Sequence, residues 1–376
     1  MKPTGRAVIL LLLVTLSALV GLGGIASGQS GGLRDRELTR SSEPQPGVLV
    51  KSYVFHDRTN HLRELTCRID ERRLREQMEG YGLPIDRSTM WRELNARLKA
   101  LVAQKIKNDG LALYVDLRIT NPPGKGWKAK VEIPYRFPSS LPPGLRKDLK
   151  KKIDALDGWV DSLEPDEIER QLRQYYFERG FILKKRGTEG EEDLLDIDYV
   201  TNALRGTDLL EDCFREIQGA AGSDHALQGF FLGALFQEMD FDFPKNSEEL
   251  EKAQFWMPGE VMDRKKGDCD SKSVAFCSMW RNNPSPVLLV RELSPLRQNT
   301  HVLVGLADLS PEGNDAISIG LRRFVLYDIA GPAKPHPGVR LERRTYLGYE
   351  CIPPKGPKGA DLCPSGSWLD FFEGVL

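Results

Sequence analysis

Gly267-Asp268-Cys269-Asp270-Ser271, Thr300-His301-Val302 and Tyr327-Asp328 decide the reading of this chain. They offer a thiol, an imidazole and a carboxylate in that order, each at the edge of a different predicted element. Cys269 opens a helix that runs to about Trp280 and ends at Asn282-Asn283-Pro284; His301 starts a strand, and Asp328 closes the next one. A thiol needs a nearby base to become a thiolate at neutral pH, and that base needs an orienting group. A helix N-terminus adds unpaired amides and the positive end of the helix dipole, both of which favour a thiolate. The expected roles follow. Cys269 is the nucleophile, His301 takes its proton and returns it to the leaving group, and Asp328 holds His301 in the right tautomer. The Cys269 backbone amide is the first candidate to stabilise an oxyanion. Asp268 and Asp270 read as first-turn acids whose charge opposes a thiolate unless they point away. Cys277 falls two turns along the same helix and is expected in the core.

Strand-like runs at 287–291, 301–306 and 324–329 surround these residues. Helices are expected at 208–217 and 224–239. The second is capped by Ser223 or Asp224 and buries a stripe of Leu227, Phe230, Phe231, Ala234 and Leu235. A polar helix is expected near Glu248. Helices followed by strands predict an α+β domain with an antiparallel sheet.

Four segments, Trp256-x-Pro258-x-Glu260, Gly267-Asp268-Cys269-Asp270, Thr300-His301-Val302-Leu303-Val304-Gly305 and Val325-Leu326-Tyr327-Asp328, carry a resemblance. Over about 225–332 the chain resembles the transglutaminase-like superfamily, relatives of papain-type cysteine proteases. The resemblance implies a papain-related domain whose nucleophile helix packs on an antiparallel sheet. It implies peptide or protein amide substrates and a Cys269, His301, Asp328 triad, with water or a second amine resolving the thioester. The chemistry requires no cofactor. The resemblance also implies that Gln237, four residues before the aromatic Phe241, donates to the oxyanion. Trp256 and Pro258 then shape the active-site wall, with Trp256 against the acyl pocket. Calcium dependence occurs in parts of the superfamily, and the residues supply no recognisable ligand set for it.

The rest of the chain sets the context. Lys2 and Arg6 precede an uncharged run from Ala7 to Ala26. This reads as a secretory signal cleaved after Ala26 or Gly28, within 1–28, or alternatively as an uncleaved membrane anchor through 7–26. Both place the body outside the cytoplasm, secreted or periplasmic or anchored to the membrane. Residues 29–46 read as a flexible linker. Residues 47–190 read as a mixed α/β N-terminal domain. Its elements are a strand at 48–55, helices at 61–78 and 90–106 (with Leu94, Leu98, Leu101 and Val102 at helical spacing) and a hairpin from 111–119 and 127–135. A helix starting at Glu164-Pro165 and stopping at Gly180, and a strand at 181–185, complete it.

Residues 191–345 form the catalytic domain in this reading, and 346–376 a tail. A disulfide between Cys351 and Cys363 closes the Pro- and Gly-rich loop of that tail. Cys67, Cys213 and Cys277 have no evident partner in the sequence, and His56, His61, His225 and His336 lack metal-ligand spacing. Lys plus Arg is 53 against 54 for Asp plus Glu, so charge gives no argument for nucleic acid or an anionic membrane surface. The glycines form no phosphate-binding pattern. The residues set no oligomeric state. The alternative to an enzyme is a non-catalytic envelope protein that uses the same fold to bind peptides or a partner.

Overall fold

The computed structural model of the chain describes residues 46–57, 59–84, 86–121, 129–163, 166–184, 194–243, 250–251, 255–293, 300–307, 309, 315–330, 345–357 and 359–363. The expected leader at 1–28, the expected linker up to residue 45, the helix expected near Glu248 and His336 lie outside the described residues. Two compact units emerge: residues 83–196 in one, and 46–82 with everything from 197 onward in the other.

In the first unit, helix Arg87–Asn108 is capped by Asp86, whose carboxylate accepts the Ser88 amide. It buries Met90, Leu94, Leu98, Val102 and Ile106, the i, i+4 stripe of an amphipathic helix, while Leu101 stays half-buried. The expected hairpin is present but short. Arg118–Thr120 pairs with Lys130–Glu132, and residues 111–117 form turns and a single bridge instead of strand. Helices Pro143–Leu163 and Asp166–Glu178 follow, and Gly180, at φ 87, ends the second before strand Phe181–Lys184. Only glycine takes that backbone conformation without strain.

The second unit carries a five-stranded antiparallel sheet. Its order is Ala316–Ile319, Arg322–Tyr327, Thr300–Ala307, Val287–Leu293, Thr345–Ile352. Alternation sets the two faces. Leu288, Val290, Leu303, Phe324 and Leu326 cluster on one. On the other lies helix Cys269–Trp280, whose Ser273 hydroxyl reaches the Val302 carbonyl. Every residue of that helix from Ser271 to Trp280 is buried, the pattern of a helix with no solvent face. Helix His225–Glu238, capped by Asp224, also lies over the sheet; a Cβ on its Gly229 would meet the Leu306 side chain at 2.9 Å. Its buried residues wrap beyond the expected stripe. Phe231 and Leu235 are buried, whereas Leu227, Phe230 and Ala234 are half-buried and Gln228, Leu232, Phe236 and Gln237 join the interior. Helices Tyr199–Thr207 and Glu211–Ala221 stand where one at 208–217 was expected.

Two boundaries differ from the sequence reading. Residues 61–78, expected as one helix, are strand Leu62–Asp70 followed by helix Glu71–Glu79. Leu65, Cys67 and Ile69 are buried at a period of two, which is strand spacing, and Asp70 caps the helix by accepting the Arg73 amide. This strand pairs with Val48–His56, and the hairpin joins the second unit through helices Glu211–Ala221 and His225–Glu238. At the other end, residues from 346 onward are not a separate tail, because Thr345–Ile352 is an edge strand of the sheet. Cys351 on that strand is bonded to Cys363, as the sequence suggested. Cys67 and Cys213, both fully buried, lie together where hairpin and helix pack, and burial and then the neighbouring Cys213 raise the Cys67 thiol well above its usual range.

Candidate active site

Cys269 is the first residue of its helix. The Asp268 carboxylate caps that helix by accepting the Ser271 amide at 2.9 Å. Trp256 is buried beside this first turn. Its backbone N–H donates to the Ser271 hydroxyl at 2.9 Å, and the Arg264 and Lys266 cations lie 5.4 and 5.1 Å from its ring. Trp256 thus braces the start of the Cys269 helix, and Pro258 opens the short helix Pro258–Arg264.

His301 lies on strand Thr300–Ala307 and Asp328 just beyond strand Arg322–Tyr327. Their side chains meet, Nε2 to Oδ2, at 3.0 Å. Pairing between these two strands stops at Val304 and Tyr327, so both residues stand where the strands part. The Cys269 sulfur comes to the same parting: its helix sets the Ser273 hydroxyl on the Val302 carbonyl, and the Val302 backbone, one residue from His301, favours the ionised sulfur. The structure therefore joins His301 to Asp328 directly and brings Cys269 to the residue beside His301.

The thiol's own proton goes elsewhere. Cys269 Sγ donates to Asp270 Oδ1 at 3.1 Å, and Asp270 Oδ2 accepts the buried Tyr199 hydroxyl at 2.5 Å. Burial pushes the thiol well above its usual range, and the negative charges of Asp270 and Asp268 push it further; the Val302 amide acts in the opposite sense. The thiolate expected from the helix N-terminus alone is thus overridden, since Asp270 does not point away. Asp268 itself, desolvated and beside Asp270, is raised to about 7.

Gln237 lies beside Asp328. Its Nε2 donates to the Asp328 backbone carbonyl at 2.7 Å, and its Oε1 accepts the Tyr327 hydroxyl at 3.5 Å. One N–H of the side-chain amide thus holds the segment that carries Asp328. The Tyr327 ring lies on Gly233, where a Cβ would come within 2.0 Å of it, so the glycine permits this docking.

Three neighbours escaped the sequence reading. Lys272 is wholly buried one helical turn beyond Cys269, and its signal was a lone lysine in an otherwise apolar helix. Glu292, also buried, stands directly across the strand pair from His301, a carboxylate closing an apolar strand. Tyr199 carried no local signal, because the helix it starts was not anticipated. Elsewhere among the described residues, His56 meets Glu238 and His61 meets Thr59. Among the described residues no group of His, Cys, Asp and Glu is arranged to hold a metal ion, and no helix is long and apolar enough to cross a membrane.

No protein-family model, curated protein or solved structure matches this chain.

Proposed function

We propose that the second unit is a cysteine acyl-transfer enzyme of the transglutaminase-like kind, a hydrolase or acyltransferase acting on peptide or protein amide bonds. The observation that carries the reading is the His301–Asp328 pair at 3.0 Å on the strand against which the Cys269 helix packs. With the resting thiol protonated, the base must remove its proton during attack. Substrate entry breaks the thiol's bond to Asp270. His301 then takes the proton as sulfur adds to the amide carbonyl, and Asp328 stabilises the imidazolium. The Cys269 backbone amide faces the developing oxyanion. Collapse expels the amine, which leaves with the proton from His301, and a thioester remains. Water or a second amine, deprotonated by His301, then releases the acyl group.

The test is an electrophilic peptide probe on wild-type and Cys269→Ala protein, with mass spectrometry of the captured products. Labelling lost in the variant, with acid or amide products from wild type, supports the reading. Equal labelling of both proteins refutes it.

A non-catalytic peptide-binding module is the second reading, and the thiol held on Asp270 and kept protonated is what favours it. Peptide binding without turnover, together with slow alkylation of Cys269 up to alkaline pH, would select it.

A further inference from the structure

We propose that Lys272 is a positioning residue of this site: its buried ammonium ties the chain beyond Asp328 to the nucleophile helix and supplies the positive charge that offsets Asp268 and Asp270 beside the sulfur. The proposal deepens the acyl-transfer reading and rests on it.

Geometry provides the first half of the argument. Lys272 Nζ donates to the Met239 carbonyl at 2.7 Å and to the Ala330 carbonyl at 3.1 Å. Met239 closes the helix that carries Gln237, and Ala330 lies two residues past Asp328. The Ala330 amide donates to Asp328 Oδ1 at 3.1 Å, while Gln237 Nε2 holds the Asp328 carbonyl. Residues 328–330 are therefore held by a side-chain amide, a backbone amide and an ammonium. Lys272 is the member that links this segment to the helix of Cys269. Slack in the segment would move the Asp328 carboxylate off His301.

Charge provides the second half. Burying an ammonium is costly, and an apolar side chain of similar volume would fill the space without that cost. The titratable groups facing Lys272 are Asp240 from the strand after the Gln237 helix, Asp268 and Cys269 from its own helix start, and Asp328. Asp268 and Asp270 both oppose ionisation of the sulfur. Burial lowers Lys272 to about 8 against the pull of the acids facing it, so it is an ammonium at neutral pH, within Coulombic reach of a thiolate formed during attack.

The experiment uses the full chain and measures iodoacetamide alkylation of Cys269 against pH in wild type, Lys272→Met and Lys272→Arg, with thermal melting of each. Because burial lowers Lys272 to about 8, the comparison is made below that pH, where the ammonium is charged: Lys272→Met should slow labelling at neutral pH about tenfold, and Lys272→Arg should restore most of the rate. Superimposed profiles for wild type and the Met variant would overturn the proposal. Should Lys272→Met not melt cooperatively, Lys272→Gln, which keeps a donor and drops the charge, carries the same two outcomes. Alkylation requires no turnover. If the peptide probe shows that Cys269 catalyses nothing, the profile still reports on the lysine, so the two readings fail separately.

Discussion

The Cys269 thiol and the Asp270 carboxylate are hydrogen-bonded at 3.1 Å, and that carboxylate also takes the Tyr199 hydroxyl. Asp270 is thus the sulfur's immediate partner at rest and one of the charges that keep it protonated. Asp270→Asn removes the charge and keeps an acceptor. Its alkylation profile should move to lower pH by about one unit, opposite in sign to the effect of losing the Lys272 charge. A profile unchanged or moved upward would contradict the electrostatic account.

Asp328→Asn should leave the fold intact by circular dichroism and lower kcat on a cleavable peptide by roughly 10³-fold, because the imidazole loses its carboxylate partner. KM should change little, since Asp328 addresses His301 and not the substrate.

Asp268 gives a stability signature. Its folded value, about 7, exceeds its ordinary 3.8, so the fold holds the proton more tightly than the unfolded chain does. The stabilisation is complete below about pH 3.8 and is lost as pH rises to about 7. Asp268→Asn keeps the helix cap and does not titrate. Melting temperatures from pH 4 to 8 should therefore fall in wild type relative to the variant, with a differential of roughly 2–4 kcal/mol.

Gly233→Ala places a methyl within 2.0 Å of the Tyr327 ring. Overpacking of this kind costs about 1–3 kcal/mol. The strain falls on the residue next to Asp328, so urea melts should show lower stability and peptide turnover should fall with it. Gly219→Ala, where no atom lies within 4 Å of the added carbon, is the control and should be neutral or better.

Reducing the Cys351–Cys363 bond, or changing both residues to serine, should cost about 3 kcal/mol by the chain-entropy account. It frees a loop also held by the Arg281 guanidinium on the Pro353 carbonyl at 2.8 Å and by Lys355, whose ammonium meets Asp208 and Glu211. Native alkylation should modify Cys269 alone among the four free thiols, because Cys67, Cys213 and Cys277 are fully buried. Peptide mapping checks both.

The helix at Cys269, the strands at His301 and Asp328 and their antiparallel pairing were legible because apolar period, cap residues and breakers agreed locally. Asp224 and Gly180 marked their helix ends as expected. Three things were not legible. Leu62–Asp70 was read as helix because Arg63, Glu64, Arg68 and the charged run after it suit helix propensity, whereas tertiary burial of Leu65, Cys67 and Ile69 decides it as strand. The meeting of Cys67 with Cys213 spans too much chain for any local pattern. The engagement of Gln237 with the Asp328 carbonyl, and of Asp270 with the thiol, depends on side-chain direction, which spacing alone does not fix. The pairing of His301 with Asp328 was nameable from sequence, while the surrounding electrostatics required coordinates.

The Tyr53 hydroxyl donates to the Met262 carbonyl at 2.7 Å, and the Phe55 ring stands edge-on to Phe231 at 6.2 Å. These contacts make the early hairpin a wall of the later unit, whose covalent continuity is broken by more than a hundred intervening residues. A fragment begun at residue 191 would expose that wall's footprint to water and aggregate or melt early. Supplying residues 46–82 as a separate polypeptide should rescue it by complementation.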